Sequence, residues 1–141
     1  MQTFLPYSDF KKSAECLDYR RLGKQRVEAW QIYLALTEPD YGWKQHPIVK
    51  MWKGFKGSLL LYGYHICSEW ISRGYKDTMK DRFLYALNQF QLFESVKNPA
   101  WLGREDFHSS HRSNLLRKDK EYYSQFNWKE DDSLPYVWVV E

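Results

Sequence analysis

Residues 17–30, LDYRRLGKQRVEAW, hold four cations, Arg20, Arg21, Lys24 and Arg26, within seven positions, and no acid follows them until Glu28. Two chemistries fit that spacing. On a helix, Lys24 and Glu28 stand four residues apart and can form a surface ion pair worth about 0.3–0.5 kcal/mol. Alternatively the surface is built to hold something anionic and Glu28 is its reactive group, since a carboxylate set among cations suits the stabilisation of a developing positive charge. At about 100° per residue, Arg20, Lys24 and Gln31 project opposite Leu22, Ala29 and Tyr33. Glu28 falls between Arg21 and Lys24 on the polar side, facing solvent or a ligand, while Arg26 leans toward the apolar side, where its stem can pack.

A second constellation is FHSSHRSNLLRK, residues 107–118. His108, His111, Asn114 and Lys118 share a helical face with Phe107 and Leu115. Polar groups that interrupt an apolar stripe are either buried with partners or line a site. Two histidines at i, i+3 could also ligate one ion, but there is no cysteine cluster and no HExxH, and His46 and His65 are remote in sequence. No metal and no cofactor are expected. Arg112 and Arg117 are phosphate-contact candidates, or simply solvated surface. In a third stretch, GWKQHPIVKMWKG, residues 42–54, Trp43, His46 and Trp52 alternate with Lys44, Lys50 and Lys53. Rings that stack on bases and amines that hold phosphates have this composition; so does a core Trp52 and Val49 beside surface lysines. There is no phosphate-cradling glycine loop and no nucleophile elbow.

The elements that must position these groups read as helices. Ser8 is a candidate N-cap for a short helix through Cys16, and Asp18 for the next, residues 19 to about 36. Residues 37–47, TEPDYGWKQHP, read as a loop punctuated by Pro39, Gly42 and Pro47, followed by a short helix, PIVKMW. The clearest amphipathic helix spans 58–73, with Gly74 as its stop. Further helices are expected at 78–93, 104–118 and 121–126; LPYVWVV near the end is strand-like but has no partner strand. The expected fold is all-α, a compact single-domain bundle of about five to six helices over residues 1–141 with an extended N-terminal arm, MQTFLPY.

With 141 residues, 43% hydrophobic and 18% aromatic, the chain has the composition of a folded domain with an aromatic-rich core. The net charge of +3 decides little. Its distribution says more: through residue 60 there are ten Lys/Arg against six acids, whereas Glu130, Asp131 and Asp132 make the end acidic. That asymmetry suits a polyanion on one side. Cys16 and Cys67 are isolated thiols that fit a reducing compartment, and no run is apolar enough to span a membrane, so a cytoplasmic monomer is expected.

Together RVEAWQ on its helix, QHP at 45–47, and EWISRGYKDT at 69–78 resemble the pyrimidine-dimer DNA glycosylase family, the small phage-type endonuclease V enzymes. The likeness covers residues 1 to 80, extends loosely to HSSHRSNLLRK, and is similar to a bacterial and phage branch beginning MQTFLPY. It implies an all-α fold whose arm threads between helices toward the active site, and double-stranded DNA as partner. The implied chemistry uses a chain-terminal α-amine that attacks C1′ of the damaged nucleotide, expels the base and forms an imine that β-eliminates, assisted by a glutamate. As a class, α-amines titrate near about pH 8, so a neutral fraction exists at neutral pH. Alignment on the following His-Pro places the glutamate at Glu28; alignment on YRR would place Arg21 there, which could do neither job. Gln2 is too bulky for efficient methionine removal, so the expected amine is that of Met1 unless another protease acts, with Lys24 as a substitute nucleophile. The expected roles are Glu28 and Met1 in catalysis, and Arg20, Arg21, Lys24, Arg26, His46, His108, His111 and Arg112 on the DNA. The alternative is a DNA-binding protein of the same fold without the chemistry.

Overall fold

A computed structural model describes residues 1–140. They form seven α-helices: α1 (Phe10–Cys16), α2 (Tyr19–Thr37), α3 (Pro47–Trp52), α4 (Lys56–Ser72), α5 (Lys80–Gln91), α6 (Glu105–Lys118) and α7 (Lys120–Tyr123), followed by a 3-10 turn, Ser124–Phe126. The all-α expectation holds. Local chemistry explains the boundaries. Asp9 caps α1, its carboxylate accepting the Lys12 N–H at 2.8 Å; the sequence pointed to Ser8, one residue short of reaching that orphan donor. Asp18 caps α2 as expected, and Pro47 opens α3 behind His46, whose Nδ1 accepts the Ile48 N–H at 3.0 Å. Helix α4 ends at Arg73 and Gly74, the latter at φ +92°, a conformation that glycine adopts without strain.

Helix α4 is the central post, packed against α1, α2 and α5. Its Leu59, Leu60, Tyr62, Ile66 and Cys67 are buried in a core shared with Leu22, Ala29 and Ile32 of α2, Phe83 of α5 and Phe107 and Leu115 of α6. Gly63 permits the approach of α5, because a Cβ there would collide with the Phe83 ring. Trp52 and Val49 belong to this core, while Trp43 stays exposed.

Two segments are extended without being strands. The N-terminal arm, residues 1–7, runs into the bundle with Gln2, Thr3, Phe4, Leu5 and Pro6 buried. LPYVWVV lies along α6, and none of the described residues forms a strand. Its backbone is satisfied by helix side chains instead: Ser113 Oγ accepts the Leu134 N–H at 3.0 Å, Asn114 donates to the Leu134 carbonyl at 3.0 Å, and Ser110 Oγ accepts the Val137 N–H at 3.1 Å. A buried peptide group needs a partner, and side chains serve where no sheet exists.

Candidate active site

The arm and α2 meet over a cavity of about 760 Å³. Met1, Gln2 and Phe4 form one side; Arg20, Arg21, Lys24, Gln25 and Glu28 project from α2 on another. Glu28 is only 9% exposed. One carboxylate oxygen accepts the Gln2 backbone N–H at 3.0 Å, and the other stands 3.5 Å from the Lys24 ammonium. The ion pair and the site geometry therefore coexist: Lys24 remains 77% exposed at the mouth, while the carboxylate faces the chain's first residues rather than open solvent. The Met1 amine is separated from that Gln2 N–H by the Met1 Cα and carbonyl carbon, and Met1 lines the same cavity as Glu28, without an ion pair between amine and carboxylate.

What brings the arm here is a run of side-chain hydrogen bonds. The Gln25 amide spans it, accepting the Phe4 N–H at 3.0 Å and donating to the Gln2 carbonyl at 2.7 Å. Trp52 donates to the Thr3 hydroxyl, and Tyr62 to the Phe4 carbonyl. From α6, His111 Nδ1 accepts the Leu5 N–H at 3.0 Å, His108 Nδ1 bonds the Leu5 carbonyl at 2.8 Å, and Arg112 donates to the Pro6 carbonyl at 2.7 Å. The sequence expectation put His108, His111 and Arg112 on the DNA. The structure instead turns all three onto the arm, away from the cavity lining. The tautomers follow from their partners: His108 donates through Nδ1 and accepts the Gly103 N–H at Nε2, whereas His111 accepts at Nδ1. Burial lowers both pKa values, His111 to about 3. Arg112 also pairs with Glu130 at 2.9 Å and with Glu105, so part of the acidic tail is neutralised inside the protein.

Arg26 likewise lies off the cavity, against Asp77 at 2.6 Å and over the Trp70 ring at 4.6 Å. His46 sits behind the lining; burial lowers its pKa, the chain-terminal amine lowers it further, and Glu28 opposes them, so the ring feels both ends of the site. Trp138 packs edge-on to it at 6.1 Å.

Of the remaining wall, Lys118, Asp119, Tyr122 and Tyr136, only Lys118 was marked from the sequence, among the polar groups of the 107–118 stretch. Lys118 ends α6 near the α2 cations: burial and then Arg21, Arg117 and Lys24 depress its pKa. Burial pushes Tyr136 up to about 12. Tyr136 carried no signal, because only the grip of α6 on the tail delivers it. Asp18 is engaged otherwise: burial would raise its pKa, but the Tyr123 hydroxyl at 2.5 Å and Arg21 hold it below the usual carboxylate range. With Asp18 bonded to Tyr123 and Arg21 and Asp119 capping α7, the cavity offers the Glu28 carboxylate, the chain's first residue, four cations and aromatic hydroxyls, a surface for an anionic ligand and for carbon centres that become cationic.

The family model described as pyrimidine dimer DNA glycosylase matches residues 1–83, more than half of the chain, including the arm, Glu28 and the α2 cations. The chain belongs to the pyrimidine dimer DNA glycosylase family. Membership implies DNA glycosylase function and a DNA substrate. No curated protein and no solved structure matches the chain significantly. The family match stops within α5, so α6, Lys118 and Tyr136 are contributed by sequence outside it. Among the described residues no group of three or more potential ligands could hold a metal, and no helix is long and apolar enough to cross a membrane.

Proposed function

We propose that this glycosylase is also an AP lyase, acting on damaged pyrimidines in double-stranded DNA through an imine on the Met1 α-amine. The neutral amine attacks C1′ as the glycosidic bond breaks, its electron pair leaving with the base, which takes up a proton. Opening of the sugar ring gives an iminium. Loss of a C2′ proton then expels the 3′ phosphate, and water releases the enzyme. Glu28 stabilises the positive charge at C1′ and carries the protons, the work of a general acid–base worth about 10²–10⁴-fold. Arg20, Arg21 and Lys24 hold backbone phosphates, with Lys118 facing them. Arg26, His108, His111 and Arg112 act by holding protein segments, since Arg26 is paired with Asp77 and the other three are bonded to the arm.

The observation that supports this reading is the Gln2 N–H bond to Glu28 inside a cation-lined cavity. The reading further takes the protein to be a cytoplasmic monomer. Its test is incubation with duplexes carrying an abasic site or a pyrimidine dimer, with and without borohydride. Strand nicking without borohydride and a covalent protein–DNA species with it are expected. Binding without nicking or trapping would leave only a DNA-binding protein of this fold.

A further inference from the structure

Helix α6 presents an unusual face: His108, Ser110, His111, Arg112, Ser113 and Asn114 are all buried, and all lie beyond the family-matched residues 1–83. A stretch this polar is buried only if its groups are partnered, and every one of the arm-facing partners is a peptide group. Two consecutive arm residues are gripped from three sides. Leu5 has both of its backbone groups taken, the N–H by His111 and the carbonyl by His108, and the next carbonyl, Pro6, takes Arg112. Donor and acceptor are specified separately, so a one-residue slip of the arm would set a histidine donor against an N–H. The histidine pair therefore defines a register, whereas apolar packing of Leu5 alone would tolerate small displacements. Gln25 and Tyr62 then carry that register to Phe4 and Gln2, and from Gln2 to the Glu28 carboxylate.

We propose that His108, His111 and Arg112 are positioning residues that set the register of the N-terminal arm, and so the placement of its reactive end against Glu28. The inference rests on the amine-dependent reading of the site. It assigns to α6, which lies outside the family-matched residues, a part in the reaction that involves no contact with DNA. The consequence is specific: loosening the grip displaces the amine without removing the α2 cations, so the covalent step suffers and duplex binding does not. Misplacement by about 1 Å costs a reaction of this kind on the order of 10²-fold.

The test compares three variants with the wild type on an abasic duplex, measuring the single-turnover borohydride-trapping rate, the dissociation constant and Tm. His111→Leu removes the acceptor for Leu5. His111→Asn restores a side-chain oxygen near the place of Nδ1. Arg112→Gln releases Pro6 at the more accessible end of the grip and serves if His111→Leu does not melt cooperatively. The expected results are a trapping rate lowered about 10–100-fold in His111→Leu, substantial recovery in His111→Asn, a smaller loss in Arg112→Gln, and unchanged affinity throughout. The proposal is overturned if the folded variants trap at the wild-type rate, if rate and affinity fall in parallel, or if Asn rescues no better than Leu. Absence of trapping by the wild-type protein would instead remove the amine-dependent reading itself.

Discussion

Glu28→Gln separates what the carboxylate does for the fold from what it does for the reaction. In the fold it accepts the Gln2 N–H at 3.0 Å and stands 3.5 Å from Lys24. A glutamine keeps a carbonyl oxygen for the first contact, so the buried N–H stays paired. The second contact involves a lysine side chain that is 77% exposed, and such a pair is worth less than about 1 kcal/mol. Stability should thus fall by no more than about 1 kcal/mol, a Tm change of about 2–8 °C. The reaction loses its charge stabilisation and proton carrier, about 10²–10⁴-fold or about 3–5 kcal/mol of barrier. Binding should hold or tighten, since a negative charge about 8 Å from a phosphate contributes about 0.5–2 kcal/mol of repulsion at effective dielectrics of about 80 to 20. Glu28→Ala supplies the contrast: it leaves the Gln2 N–H unpaired, adding about 1–3 kcal/mol of instability. Single-turnover nicking of an abasic duplex, a binding isotherm and a thermal melt on each variant decide the matter. A glutamine variant that nicks at the wild-type rate, or one whose lost activity merely tracks lost folding, would refute the reasoning.

Arg20→Ala should weaken duplex binding and reduce the slope of log affinity against log salt by about 1, whereas Arg26→Ala should leave that slope alone and cost about 3 kcal/mol of stability by removing the cation from Asp77, whose side chain is 1% exposed and keeps backbone donors such as the Lys80 N–H; salt titrations and denaturant melts distinguish the two. Gly63→Ala should lose at least about 1–3 kcal/mol, because the added methyl meets the Phe83 ring, with nicking per folded molecule preserved. Stability should also decline in weak acid. Burial holds the folded His111 pKa down at about 3, while the unfolded value is about 6.5. Below about pH 6.5 the unfolded chain therefore takes up a proton that the folded one refuses. The contribution is whole above that pH and is lost as the pH falls through the window, an effect on the order of a few kcal/mol. His111→Asn should flatten the Tm profile between about pH 6.5 and pH 4; an equally steep profile in that variant would show that the group titrates elsewhere.

The helices were legible because their determinants are local. The α2 pattern, the Asp18 cap, Pro47 at the start of α3 and the Gly74 stop are all written within a turn or two of where they act. Glu28 among its cations was legible for the same reason. What governs the site is long-range. The Leu5 contacts to His108 and His111 join residues more than a hundred positions apart, and no periodicity encodes them. The histidines did announce themselves as polar interruptions of an apolar stripe, which admits either a lining or a buried, partnered role; only the arm's path selects the second. Arg26 shows a related limit: its lean toward the apolar side was readable, its partner Asp77 beyond α4 was not. LPYVWVV has the composition of a strand, yet its backbone hydrogen bonds go to Ser110, Ser113 and Asn114.

In the proposed mechanism the chain's own first amine is the nucleophile and Glu28 its partner. The most direct test is to trap the wild-type protein on an abasic duplex with borohydride, digest the complex, and map the sugar-derived adduct by mass spectrometry. The account predicts the adduct on the α-amine of the N-terminal peptide. An adduct on Lys24 or Lys118, or none despite nicking of the strand, would contradict it.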